Sequence, residues 1–470
     1  MALMTPAQYR ASLNDGREIY IRGERVSDMT RHEWFKQAIE VCAADYVYDD
    51  PATRDIRLYR TEEGNMAHRV FQVPKTEQDL QAWMDLPDVS SAATMVSLVL
   101  MAMWNVKGEV AAINPKYAEN IERIYRHCRD NDLRAAELIT DAKGDRSRRP
   151  SDQDDPDLYM RIVERNDKGI VVRGAKLHIT AASMVHELVV LPTKAMSPGE
   201  EDYAVAFAVP ANTKGVKIIN RAFVDPDHGE FDYPRSTRKG VPDGFVVFED
   251  VFVPWERVFL AGETQLAGVY AHSLGLWERV GGLIEFSHRA KRMVGMAALL
   301  AEWNGVAGAS HIQEKIGELI FNAETLRLML DAARRNYKVS NTGMVYPDPV
   351  AINVGKYHAA TTFNQMVRVL HDIAGGLVIT MPVEADLRNP ELRPYLEKYL
   401  HTRPGVSVED RMRLYSLVRD STADAYGGWE LVTTVQAGGG LAAQRIVVQR
   451  SYDMEAAKHY AKVEAGIIKE

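Results

Sequence analysis

Apolar residues recur along this chain with two different rhythms, and the changes of rhythm divide it into three. From Thr5 to about residue 150 the spacing is mostly helical. Thr5 before Pro6 marks a helix start, with the hydroxyl as cap and proline at the first helical position. DGREIYIRGERV (15–26) breaks the pattern as a short hairpin turning at Asp15-Gly16 and Arg22-Gly23. TMVSLVLMAMW (94–104) is apolar on every face and predicts a buried helix. Tyr117, Ile121, Ile124, Tyr125 and Cys128 make Pro115–Asp132 amphipathic, with Cys128 in the core rather than reactive.

Between about Leu158 and Leu260 the period falls to two. GIVVRG, HELVVLPT, DYAVAFAVP, GVKIIN and GFVVFEDVFVP are separated by turn residues, which predicts an antiparallel barrel or sandwich. Asn166-Asp167-Lys168-Gly169 is a hairpin signal. Helical spacing then returns over roughly 263–304, 310–339, 348–381, 407–435 and 453–468, with Ser310 as a cap and 341–349 as a loop. Long helices joined by short loops suggest a four-helix bundle. The expected fold is therefore α+β: residues 1–150 mainly helical, 151–262 a central antiparallel β-barrel, and 263–470 a helical bundle with a tail.

Composition narrows the function. A net charge of −8 over 470 residues argues against nucleic acid as a partner. No stretch reaches the roughly 20 apolar residues of a membrane helix, and the N-terminus is charged where a signal peptide is apolar. A cytoplasmic location without membrane contact is expected. Two cysteines, Cys42 and Cys128, are too few for a disulfide framework or a cysteine metal site, and no metal is expected. No G-x-G-x-x-G follows a strand and no Walker loop is present, so a nucleotide here does not use a Rossmann site.

The richest chemistry lies in ITDAKGDRSRRPSDQDDPDLY (139–159). Lys143, Arg146, Arg148, Arg149 and the following Arg161 stand among Gly, Asp, Ser and Pro, the setting for a pyrophosphate or another compact anion. By itself this also describes an exposed basic turn. His178 and His186 flank the Thr180 strand and read first as structural, second as proton donors. Glu278 and Glu285 lie seven apart on one helix face, as an acid–base pair or a solvated stripe.

DAKGDRS, GIVVRGAK and VFEDVFVPWERVF closely resemble the 4-hydroxyphenylacetate 3-monooxygenases and 4-hydroxybutyryl-CoA dehydratases, as do LNDGREIYIRGERVSDMT, AGGLVITMP and EDRMRLYSLVRD. The resemblance covers nearly the whole chain. It implies an acyl-CoA dehydrogenase-like fold and a homotetramer with FAD partly across a subunit interface. It places Asp145, Arg146, Ser147, Ser151, Gln153 and Thr180 on the flavin, with Gly438, Gly439 and Gly440 approaching from the helical part.

That family holds two chemistries. The dehydratases add an iron–sulfur cluster on three Cys and one His. Here the first Cys pair aligns with the Cys-free apolar run, and the other ligands with Glu278 and Glu285. The phenol-binding Arg, Tyr and His of the hydroxylases align with Val99, Met103 and Ser147, so the expected substrate pocket is Val99, Met103, Trp104, Ser147 and Glu278, less polar than in those enzymes. FDYPRSTRK and AYGGWELVTTVQAGGG resemble the oxygenases. The reading is an oxygenase component that receives reduced FAD from a separate NAD(P)H:flavin reductase and, with O₂, hydroxylates an aromatic or related small molecule through a flavin C4a-hydroperoxide. The alternative is a cluster-free flavin dehydratase or isomerase acting on an acyl-CoA. The catalytic acid or base is not identified.

Overall fold

A computed structural model describes residues 3–468. Helix α1 (Pro6–Ser12) begins with Thr5 accepting from the Gln8 N–H while the Gln8 side chain returns to Thr5, a complete capping box. Strands β1 (Glu18–Ile21) and β2 (Glu24–Val26) form the expected hairpin, turned by Arg22 (φ 51°) and Gly23 (φ 86°). The apolar run folds as consecutive turns ending in α2 (Val99–Asn105), where Val99, Leu100, Met101 and Met103 are wholly buried. Helix α3 (Pro115–Asn131) stops at Asp132 in a left-handed conformation (φ 55°).

Apart from two short two-stranded ribbons, Leu58–Arg60 with Met66–His68 and Lys338–Val339 with Val345–Tyr346, the other strands are β3 (Ala135–Leu138), β4 (Arg161–Arg165), β5 (Gly169–Thr180), β6 (Glu187–Val190), β7 (Val205–Pro210), β8 (Val216–Arg221), β9 (Asp243–Pro254) and β10 (Val258–Ala261), which join β1 and β2 in two larger sheets. They form one six-stranded sheet, β2-β1-β8-β9-β5-β4, and one four-stranded sheet, β10-β7-β6-β3. The expected antiparallel barrel is not what forms: among the described residues the two sheets stay open, and each includes a parallel pair. β1 runs parallel to β8, with Glu18 opposite Lys217, and β3 parallel to β6, with Ala135 opposite Glu187. Both parallel partners are supplied from before residue 150, where period-two spacing within 158–260 carries no information about them. β4 and β5 make the predicted hairpin, with Asn166 Oδ1 accepting from the Lys168 and Gly169 N–H groups.

Helices α4 (Thr264–Trp303), α5 (Ser310–Arg335) and α6 (Pro349–Ala374) pack on one another, and α7 (Val408–Thr422), α8 (Ala425–Gln436) and α9 (Leu441–Ser451) follow. Ser310 is already inside α5 and its side chain makes no cap; Ala309 holds the cap position. The 407–435 segment is two helices rather than one. The Asp424 N–H bonds back to the Arg419 carbonyl, and Gly427 packs so tightly on the Thr422 backbone that a Cβ would lie 2.5 Å from its nitrogen. One apolar core joins both sheets to α2, α3 and the first half of α4.

Among the described residues no single helix is long and apolar enough to cross a membrane. One bent pair, Ala92–Asn105 with Lys107–Ile113, passes by composition, and its first half lies in the core.

Candidate active site

A cavity of about 200 Å³ opens where the 87–98 turns, both sheets and the two helices α4 and α8 meet. Helix α4 supplies Glu278, Gly281, Gly282, Glu285 and Arg289, which share a face because three- and four-residue steps return to one side of a helix. The sheets supply Glu137 from β3 and Thr180 from the end of β5; α8 supplies Tyr426, Trp429 and Thr433. Arg235 and Lys239, from the FDYPRSTRK segment, close one wall.

That wall is a buried ion network. Arg235 bonds Glu285 at 2.5 Å and reaches Glu430 at 3.4 Å, Arg289 lies 3.5 Å from Glu285 and 3.4 Å from Glu430, and Arg292 lies 3.3 Å from Glu430. Burial pushes the Glu285 carboxyl up, but Arg235, Arg289, Arg292 and Lys239 outweigh it and hold its pKa at about 2. Among the described residues Lys239 Nζ bonds only the Ser90 carbonyl, at 3.2 Å, and burial followed by the Arg235 charge depresses its pKa. Four cations against two carboxylates leave this end of the cavity positive.

The other end is acidic. Glu278 lies beside the Gly438 N–H, Arg279 and Lys356; burial nonetheless raises its pKa. Arg279 Nε donates to the Gly438 carbonyl at 2.7 Å, so two adjacent residues of α4 flank Gly438. A Cβ on Gly438 (φ 69°) would lie 2.7 Å from Arg279 Cγ, so the approach depends on glycine. Glu137 has no such partners. Its Oε2 is buried without a hydrogen bond, and desolvation, then the Glu278 charge, push its pKa well up.

Thr180 is tied to the helices through Asp243. The two residues pair across β5 and β9, which sets the Thr180 hydroxyl beside the Asp243 carboxyl, and Trp429 Nε1 donates to Asp243 Oδ2 at 2.8 Å. Two residues earlier His178 stands at φ 62°, where the β5–β9 register slips. His186 is structural: Nδ1 accepts from the Arg134 N–H, Nε2 meets Ser12 Oγ at 2.9 Å, and burial drives its pKa to about 3.

Of the residues singled out from sequence, the structure brings Thr180, Glu278 and Glu285 to this cavity, with Gly438 directly behind Glu278. Val99 and Met103 are wholly buried in the core, and Trp104 packs against Tyr125 with Lys107 over its ring. Gly439 and Gly440 lead into α9. Asp145, Arg146, Ser147, Ser151 and Gln153 form an exposed loop, except that Gln153 is half-buried. Asp145 Oδ1 accepts from the Ser147 N–H and hydroxyl, and Gln153 bonds both backbone groups of Asp145. Arg148 pairs with Asp154, whereas among the described residues Arg146 pairs with no carboxylate. The loop is anchored at Asp141, which lies opposite Lys176 of β5 and binds its buried ammonium at 2.8 Å. Lys176 precedes Thr180 by four residues, about 13 Å along a strand. One strand thus carries the cavity at its end and the cationic loop at its middle.

The sequence reading missed Glu137, Arg235, Lys239, Arg289, Tyr426 and Trp429 as cavity residues. A glutamate inside the otherwise apolar AAEL strand was the available signal for Glu137.

Residues 5–260 match the description 4-hydroxyphenylacetate 3-hydroxylase N terminal and residues 271–466 its C terminal. The chain belongs to the 4-hydroxyphenylacetate 3-hydroxylase family. Within that family it is 32% identical to the oxygenase component of 4-hydroxyphenylacetate 3-monooxygenase from Thermus thermophilus, over 87% of this chain and 86% of that protein. It is 31% identical to the 4-hydroxybutyryl-CoA dehydratase/vinylacetyl-CoA-Δ-isomerase of Clostridium aminobutyricum, over 99% and 100%. The crystal structure of a 4-hydroxyphenylacetate 3-monooxygenase oxygenase component complexed with FAD superposes with a TM-score of 0.90 at 30% identity, covering 99% of each chain. An oxygen-tolerant archaeal 4-hydroxybutyryl-CoA dehydratase from N. maritimus gives 0.91 at 28%, covering 100% and 96%.

The residues present fit a flavin. Ser90 Oγ, Glu137 Oε2 and Asp243 Oδ1 are buried polar atoms without partners at or just behind the cavity, Thr180 and Trp429 line it, and the unpaired Arg146 suits a diphosphate.

Proposed function

We propose that this chain is the oxygenase component of a two-component monooxygenase acting on an aromatic or related small molecule, with a separate NAD(P)H:flavin reductase supplying FADH₂. Reduced FAD, when bound, supplies the two electrons that activate O₂. The observation that carries the reading is the donor set of the cavity. It is built of carboxylate, guanidinium, ammonium and hydroxyl groups beside apolar Leu98, Phe286 and Trp429, and neither cysteine, each buried in a core cluster, lines it. Oxygen and nitrogen donors of this kind do not suit a thiolate-held cluster. The near full-length similarity to an FAD-complexed oxygenase component supports the same reading.

In this reading the loop from Asp145 to Gln153, with Thr180 and Gly438–Gly440, holds the flavin. The apolar lining keeps water from the reacting atoms, and Arg235, Lys239 and Arg289 set the charge that a substrate meets. We read the three segments 1–150, 151–262 and 263–470 as separate domains, the last an acyl-CoA dehydrogenase-like four-helix bundle. We read the assembly as a cytoplasmic homotetramer in which a neighbouring subunit covers the exposed cationic loop. The decisive experiment supplies FADH₂ and ¹⁸O₂ with a panel of phenols. One ¹⁸O atom in the product is expected; turnover without O₂ consumption overturns the reading.

The similarity to the Clostridium aminobutyricum enzyme, spanning 100% of its length, and the paired carboxyls Glu137 and Glu278 favour one second reading, a cluster-free dehydratase or isomerase acting on an acyl-CoA. Anaerobic conversion of an acyl-CoA with oxidised FAD and no reductant would select it.

A further inference from the structure

Glu137 and Glu278 enter the same cavity from different elements, a short strand and a long helix. Their surroundings are unequal. Glu278 has three groups that favour its ionised form: the Gly438 N–H, Arg279 and Lys356. Glu137 has none, and one of its oxygens is buried without any partner. The cations nearest β3 are committed elsewhere. Lys176 is bound to Asp141 and to the Ile139 and Leu191 carbonyls, Arg134 is bound to Asp132, and Arg257 engages Glu187 of the neighbouring strand. Two adjacent carboxylates in a desolvated space cannot both stay ionised, so one proton is retained, on the member whose charge is less supported. That member is Glu137.

We propose that Glu137 presents a protonated carboxyl to the cavity, as a neutral hydrogen-bond donor to an oxygen of the bound substrate, with ionised Glu278 as its partner. The proposal rests on the cavity being the substrate site of the proposed monooxygenase. A carboxylic acid is the only glutamate form that can donate, and the unpartnered Glu137 oxygen is where such a bond would form. Release of that proton would place two negative charges side by side, so Glu137 keeps it and binds rather than ionises. Of the four residues of β3, Glu137 alone retains exposure, while its neighbours Ala136 and Leu138 lock the strand in the core. The substrate class follows from the two ends of the cavity. It is a small molecule with an accepting oxygen, a phenol, phenolate or carbonyl, toward Glu137, and it tolerates or carries negative charge toward Lys239 and Arg235.

Two measurements on the full-length protein test this. The first is isotope-edited infrared spectroscopy of ¹³C-glutamate-labelled protein at pH 7, which needs neither flavin nor turnover. A protonated carboxyl band is expected in the wild type, lost in Glu137→Gln and retained in Glu278→Gln. Absence of the band in the wild type, or its survival in Glu137→Gln, overturns the proton assignment. The second is titration with 4-nitrophenol, whose visible absorbance reports binding and ionisation. Glu137→Gln, which keeps a donor, should bind within about threefold of wild type, and Glu137→Leu about tenfold more weakly. Equal binding by all three proteins, or no binding by the wild type, overturns the substrate-facing role. Failure of ¹⁸O incorporation would instead strike the monooxygenase reading and leave the infrared result standing.

Discussion

Trp429 hands its indole N–H to Asp243 at 2.8 Å across 186 residues of sequence, and Asp243 pairs with Thr180 across β5 and β9 at the mouth of the cavity. Asp243 is half-buried and its other oxygen, Oδ1, is buried without a partner, so the indole bond is one of the few things that make this carboxyl tolerable there. Trp429→Phe retains an aromatic ring against Tyr426 but removes the donor. It should cost about 1–3 kcal/mol of unfolding free energy and loosen whatever binds at Thr180. Urea denaturation of the two proteins measures the first effect and FAD titration the second.

Arg146 and Arg148 stand two residues apart in one loop, yet only Arg148 has carboxylate partners, Asp145 and Asp154. Arg146→Ala is therefore expected to weaken FAD roughly tenfold, and Arg148→Ala much less. Quenching of flavin fluorescence gives both constants. Equal effects would show that the loop binds through its summed charge and not through one guanidinium.

Glu430 is almost completely buried, with Arg235, Arg289 and Arg292 all within 3.4 Å. Glu430→Gln leaves these guanidinium groups with Glu285 as their remaining counter-charge. Breaking a buried ion network from one side costs about 3–5 kcal/mol. A drop of that size in denaturant stability is the expected result, with the far-ultraviolet circular dichroism unchanged at low denaturant.

Glu285 supplies a pH signature. Its pKa is about 2 in the folded chain against about 4.5 when unfolded, so the unfolded chain binds more protons between those values. Its stabilisation is complete above pH 4.5 and disappears as pH falls toward 2, by at most about 3 kcal/mol. The stability gap between wild type and Glu285→Gln should accordingly narrow over that interval and stay constant above it.

His178 sits at φ 62° where β5 and β9 lose register. Glycine adopts that backbone freely and a β-branched residue does not. His178→Gly should leave thermal stability within about 1 kcal/mol, whereas His178→Val should lower it by about 1–3 kcal/mol. Reversal of that order would place the conformation under the control of the imidazole rather than the backbone.

What was legible in the sequence was local. The Arg22-Gly23 and Asn166–Gly169 turns announce themselves because particular residues accept positive φ or bond their own backbone. The capping box at Thr5 and the stripe on α3 are readable for the same reason, since cause and effect lie within a few positions. The sheet partners were not readable. Glu18 lies opposite Lys217, and nothing in either segment encodes the other. The cavity wall has the same character: Arg235 meets Glu430 from 195 positions away, and each looks like an ordinary surface charge in its own neighbourhood. Ser310 failed as a cap because the helix starts one residue before its hydroxyl can serve.

The parallel pairing of β1 with β8 also constrains how the chain is made. During synthesis at roughly 5–20 residues per second, the strand containing Lys217 emerges on the order of 10–40 s after the strand containing Glu18. Through that wait β1 has only β2 beside it, and an isolated two-stranded hairpin is barely stable in water. The edge of β1 that faces β8 therefore stays open until nearly half the polypeptide has been translated. An unpaired strand edge is a template for pairing with another chain, so this edge is the one that a nascent copy exposes longest to its neighbours.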